Sequence, residues 1–139
     1  MAERLGYLIK RTQHAFRRAM DDELRHLNLT SAQYGALSAL EMKPLASNAS
    51  LARACFVTPQ TMIELIKSLE GAGFVARQPH PEHGRFLQTH LTESGRAHLV
   101  AAHQVMESIE TKMLSGVAAA DQEMVAKVLR RCCENLEES

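Results

Sequence analysis

One stretch limits the folds open to this chain more than any other: "VTPQTMIELIKSLEGAGF", residues 57–74. Thr58 is a good N-cap, because its hydroxyl can accept from the free backbone N–H groups of a first helical turn. Pro59 suits the first helical position, where its missing N–H costs nothing. Gly71 and Gly73 supply the stop. Between these signals Met62, Leu65, Ile66 and Leu69 fall on one side, and Gln60, Thr61, Glu64, Lys67 and Ser68 on the other. The period then changes. In "RFLQTHL", Leu87, Thr89 and Leu91 alternate with Phe86, Gln88 and His90, so "FVARQP" and "RFLQTHL" are predicted to pair as antiparallel strands joined by "HPEHG".

The flanks are helical. From Glu3 to about Leu27 apolar residues recur with a 3.6-residue period until "NLT" breaks it. Thr30 or Ser31 caps "SAQYGALSALEM", which ends before Pro44; Ser47 or Asn48 caps a short "SLARACF". Thr92 caps a long helix to about Ser115, and "AADQEMVAKVLRRCCENLEE" is the last, with a stripe of Val125, Val128, Leu129, Cys132 and Leu136. The fold class expected is mainly α with a small antiparallel β-hairpin. A chain of 139 residues fits one domain, 1–139, with no repeat or linker to divide it. The two terminal amphipathic segments have nothing else to pack on and need a partner surface.

Several classes of function are disfavoured. The N-terminal "MAERLGYLIKRTQ" is broken by charges and no apolar run nears a membrane span, so neither a signal peptide nor a membrane role is expected. Three cysteines, two of them adjacent (Cys132, Cys133), make no disulfide framework, and the expected home is the reducing cytoplasm. There is no Cys/His pair at motif spacing, no nucleophile elbow and no phosphate-binding glycine loop, so no enzyme and no cofactor is expected. Sixteen basic and sixteen acidic residues balance, and any nucleic-acid contact must come from local arrangement.

Helix, helix, short helix, the turn "FVT", a capped helix and a hairpin make a helix-turn-helix followed by a wing. A helix that enters a major groove must bury one face and offer small polar or charged side chains on the other, as 58–70 does. Its N-terminus can also receive a phosphate. The pieces "LTSAQYGALSAL", "SLARACFVTPQTMIELIKSLEGAGFVAR", "HGR" and "LTESGR" line up in order and spacing with MarR-type winged-helix transcriptional regulators, which the chain resembles over nearly its whole length. The combined order of "LA", Gly73, Arg77, Gly84-Arg85 and the "LT..G" of Leu91 to Gly95 carries the resemblance. It implies a homodimer with a winged module at about 30–92 and dimerisation helices at about 1–27 and 93–139. It further implies binding of a pseudo-palindromic double-stranded DNA operator, repression as the common outcome, and a small aromatic or phenolic effector.

In this reading "HPEHGR" is the wing tip, and Arg85 enters the minor groove, whose negative potential attracts a weakly hydrated guanidinium. The family pattern often has aspartate two residues before that arginine; here the place is held by His83, which could add a phosphate contact on acidification. Gln60 and Thr61 are assigned to base edges and Lys67 to phosphate. Glu64 either accepts from a cytosine amino group or partners Lys67, and Thr58 contacts phosphate or only caps. Arg77 contacts the DNA backbone or pairs within the sheet, and Arg53 is similarly ambiguous. His14, Arg17, Arg18 and Tyr34 are candidates to line an effector pocket. No metal site is assigned: His80, Glu82 and His83 are short of four ligands, and His98 and His103 are five apart, off a common helical face. A zinc- or redox-responsive regulator of the same fold, through those histidines or Cys132 and Cys133, is the alternative. A protein-binding dimer that has lost DNA binding is another, kept open by Glu64 and the zero net charge.

Overall fold

A computed structural model describes residues 4–138. Glu3, where the first helix is expected to begin, lies outside the described residues. The elements run α1 (Leu5–Leu24), a 3-10 turn (Arg25–Leu27), α2 (Ser31–Met42), α3 (Asn48–Cys55), α4 (Pro59–Gly71), β1 (Val75–Pro79), β2 (Leu87–Leu91), α5 (Glu93–Met113) and α6 (Ala119–Glu137). The expected first helix thus divides: its last turn tightens to 3-10 and stops at Asn28, in the left-handed region at φ 58°.

Side-chain caps set the starts. Thr30 and Gln33 form a reciprocal capping box on α2, Ser47 caps α3, and Thr58 and Thr92 cap α4 and α5. Between α3 and α4 the chain turns within Phe56–Thr58. Phe56, expected to end α3, instead leaves it in the left-handed region at φ 58°.

The core lies where α2, α3, α4 and the hairpin meet α5. Leu37, Leu40, Leu51, Met62, Ile66, Leu69 and Leu99 are all essentially inaccessible to water, and Leu24 joins them from the end of α1. Burying such a side chain stabilises by roughly 1.5–3 kcal/mol each. β1 and β2 pair antiparallel with Val75 opposite Leu91 and Arg77 opposite Thr89. β1 starts one residue later than the pattern suggests, where the Phe74 N–H closes on the Leu69 carbonyl at 2.9 Å, and β2 two residues later, because the Phe86 N–H turns away to the His83 carbonyl at 2.9 Å and leaves Phe86 in the wing loop.

A clasp joins the hairpin to α5. The Thr92 hydroxyl donates to the Gly73 carbonyl at 2.6 Å and accepts from the Gly95 N–H at 3.0 Å, while the Thr92 N–H donates to the Phe74 carbonyl at 3.0 Å. Gly95 is buried directly against that carbonyl: a Cβ there would sit 2.0 Å from the Phe74 oxygen.

The terminal helices are different. α6 has no buried residue, and Val125, Val128, Leu129 and Leu136 stand open to solvent. On α1 the same holds for Leu5, Leu8 and Ile9. An apolar cleft of about 390 Å³ lies between these helices, lined by Leu8, Ile9, Phe16, Met113 and Leu129 with Thr12 and Gln13. Such a continuous uncovered apolar face marks an association surface.

Candidate nucleic-acid interface

α4 meets the requirement its sequence sets. Met62, Ile66 and Leu69 are buried, while Gln60, Glu64, Lys67 and Ser68 are exposed and Thr61 is half-buried. Thr58 is more occupied than sequence alone suggests. Its oxygen accepts from the Thr61 N–H at 3.1 Å and its hydroxyl donates to Thr61 Oγ1 at 3.0 Å. The cap occupies its acceptor and the Thr61 oxygen takes its proton, so the free hydroxyl proton at this helix start belongs to Thr61. Gln33 of α2 holds the far side, donating from Nε2 to Ser68 Oγ at 2.8 Å.

The hairpin follows α4, and β1 packs against it. The hairpin tip is ordered by an imidazole: His80 Nδ1 accepts from the backbone N–H groups of Glu82 and His83 at 3.0 and 3.1 Å. The His80 and His83 rings lie 5.2 Å apart. Gly84 and Arg85 are exposed, and among the described residues no carboxylate pairs with Arg85, Glu82 included. A guanidinium held at a ribbon tip with all its donors open is available to an external anion.

Arg77, for which the sequence leaves open a DNA-backbone contact or a partner within the sheet, turns inward. It shares the inner face of the hairpin with Val75 and Thr89, and its Nε and Nη2 are buried without a protein partner. It lines a cleft of about 680 Å³ with Ser47 and Asn48 at the start of α3, and with His80, Arg85 and Gln88 of the wing. No carboxylate lines that cleft. Between Arg53 and Arg85 the formal charge is only +1, yet the structure gathers two of its four cations on one side and leaves Glu64 on α4. This local asymmetry is what a zero net charge conceals.

The four candidates for an effector pocket do not gather at one cleft. His14, Arg17 and Arg18 are exposed on α1, and Arg17 lines a cleft with Asp21, Arg25, Leu29, Thr30, Ser31 and Ala32. Tyr34 is half-buried between α2 and α5, its hydroxyl 2.7 Å from His103 Nδ1; His103 Nε2 in turn lies 2.9 Å from Glu41 Oε1. The arrangement suits a tyrosine donating to Nδ1 and an Nε2–H donating to the carboxylate. Burial, more than any neighbour, pushes the Tyr34 hydroxyl above the ordinary tyrosine range, and the Ser38 hydroxyl works against it. This strap across α2 and α5 went unseen in the sequence, because its members are 62 and 69 residues apart.

His98 has its own partner, the Ser94 carbonyl at 3.0 Å, and among the described residues no three His, Cys, Asp or Glu side chains gather to hold a metal. Cys132 and Cys133 are exposed on α6; Cys55 is half-buried, and burial pushes its thiol up.

A short helix and turn leading into a polar-faced helix, with an arginine-tipped hairpin beside it, define a winged helix-turn-helix module, which presents one helix to a DNA groove. Residues 27–85 match the MarR family, and the chain is 35% identical over 127 residues, 91% of each chain, to the HTH-type transcriptional repressor Rv2887 of Mycobacterium tuberculosis. The chain belongs to the MarR family. Two solved structures of the M. tuberculosis MarR family protein Rv2887 superpose with a TM-score of 0.78. The one in complex with salicylic acid is 34% identical, covering 94% of this chain and 97% of that one; the one in complex with DNA is 31% identical, covering 94% and 98%.

Proposed function

We propose that this chain is a sequence-specific double-stranded-DNA-binding repressor, active as a homodimer and released by a small aromatic or phenolic acid. The observation that carries the reading is the exposure of α4's polar face together with that of Arg85, to which no carboxylate is paired among the described residues. In this reading about 30–92 is the reading module, and the helices on either side of it, α1 with α5 and α6, make the dimer. With α4 in the major groove, Gln60 and Thr61 meet base edges, Glu64 accepts from a cytosine amino group and Lys67 meets phosphate. Thr58 sets the helix start. Arg85 enters the minor groove, His83 stands beside it, and a phosphate oxygen entering the cationic cleft would satisfy the unpartnered donors of Arg77. The protein acts in the cytoplasm and performs no catalysis.

The effector reading is supported by the salicylic acid complex of the M. tuberculosis relative. In this chain the candidate contacts are Arg17 and Arg18 for a carboxylate, with His14 on the same helix, or Tyr34 for a phenolic oxygen; they share no cleft in the single chain, so a small acid would meet one group or the other. Engaging Tyr34 disturbs its bond to His103, which ties the reading module to α5, and so couples ligand to groove spacing.

The test is Arg85→Ala in an operator titration at several salt concentrations. Affinity is expected to fall by about 10- to 100-fold and the slope of log K against log salt to lose roughly 1, the signature of one lost cationic contact. Unchanged affinity and slope would reject the wing's role. Salicylate added to the wild-type titration is expected to weaken binding; no response up to millimolar levels rejects this effector class.

A further inference from the structure

Phe56 stands under two local penalties at once. Its φ of 58° lies in the left-handed region, which a bulky aromatic residue adopts at a cost and glycine or asparagine far more readily. Its side chain is 92% exposed, more open than any other large apolar side chain among the described residues. The core gains nothing from this ring, and a glycine would relieve both costs.

The backbone that carries the ring is nevertheless held in a defined place. The Phe56 N–H donates to the Arg53 carbonyl at 3.3 Å and the Val57 N–H to the Ala52 carbonyl at 3.1 Å. Two residues on, Thr58 opens α4, with Gln60 exposed in its first turn. The exposed residues nearest Phe56 along the chain are Arg53, Ala54, Thr58 and Pro59, none of them a large apolar side chain of the kind that builds a protein-partner patch. A single ring beside the start of a groove-reading helix fits a duplex instead. Deoxyribose carbons and the thymine methyl are the apolar surface that a groove wall offers.

Resting on the DNA-binding reading, we infer that Phe56 is a direct DNA contact. With α4 in the major groove, its ring lies against sugar carbons or a thymine methyl at the groove edge. The contact releases no counterions, so it adds affinity that salt does not remove.

Phe56→Gly and Phe56→Asn test this together, since both residues accept the left-handed backbone and neither carries a ring. Both variants are expected to melt no lower than wild type and to bind the selected operator about tenfold more weakly. The salt slope should stay the same. Equal operator affinity in both variants overturns the contact. So does a loss confined to the glycine variant, which would report chain stiffness, and so does a melting temperature well below wild type in both, which would make the ring structural. A changed salt slope also overturns it, because a charge would then have moved. A wild-type protein that enriches no duplex refutes the DNA-binding reading itself, and this contact with it.

Discussion

Gly95→Ala will destabilise the protein by roughly 3 kcal/mol or more, a large effect for the addition of one methyl group. The obstacle is backbone, not a side chain that can swing away: the new Cβ would lie 2.0 Å from the Phe74 oxygen and 2.9 Å from its carbonyl carbon. To make room, α5 must lift from the strand, and the clasp through Thr92, Gly73 and Phe74 must lengthen or break. Gly6→Ala is the control, since nothing lies within 4 Å of that Cβ and alanine favours a helix. Urea unfolding of both variants reads the difference. A Gly95→Ala loss under about 1 kcal/mol would show that the close approach does not hold in solution.

Leu129→Asp is expected to dissociate the proposed homodimer and abolish operator binding together. Leu129 stands in the cleft between α6, α1 and the end of α5, 43% exposed in the single chain. Pairing two copies through α1, α5 and α6 would cover it. A carboxylate buried there without a partner costs about 2 kcal/mol or more, and a twofold axis counts it twice. The dimer dissociation constant should therefore rise about a thousandfold. Each separated module then holds only one half-site, too weakly to survive physiological salt. Sedimentation at micromolar concentration should show 15.4 kDa for the variant and twice that mass for the wild type. A variant that stays dimeric, or binds the operator as a monomer, would contradict the assembly.

Much of this architecture was legible because it is written in local chemistry. Thr58 with Pro59, and Gly71 with Gly73, mark the ends of α4 within a residue or two, and Thr92 marks the start of α5. The uncovered stripe of α6 is visible as period alone and appears in the structure as a helix without a buried residue. Strand and helix ends were less legible. Phe86 alternates correctly with Leu87 but is lost to β2, because a turn bond to His83 competes for its N–H. Phe56 continues an apolar period yet leaves the helix, since backbone angles leave no trace in hydrophobicity.

The site was legible only in part. The polar face of α4 follows from helical geometry, whereas partners distant in sequence do not. The Tyr34–His103–Glu41 strap and the inward turn of Arg77 both depend on which elements pack together. Spacing could have hinted at one of them: Arg77 and Thr89 fall opposite each other once the hairpin register is written down. The two bonds between Thr58 and Thr61, one from the Thr61 backbone N–H and one from the Thr58 hydroxyl, were equally open to anticipation, because a cap side chain reaches the third helical residue.

The central claim is that two copies of this chain, related by a twofold axis, set two α4 helices into successive major grooves on one face of a duplex. Selection of bound duplexes from a random pool at physiological salt measures this directly. The account predicts an inverted repeat whose half-site centres lie roughly 10 base pairs apart, one turn of B-DNA. Enrichment of an asymmetric single site, or of no sequence at all, would contradict it.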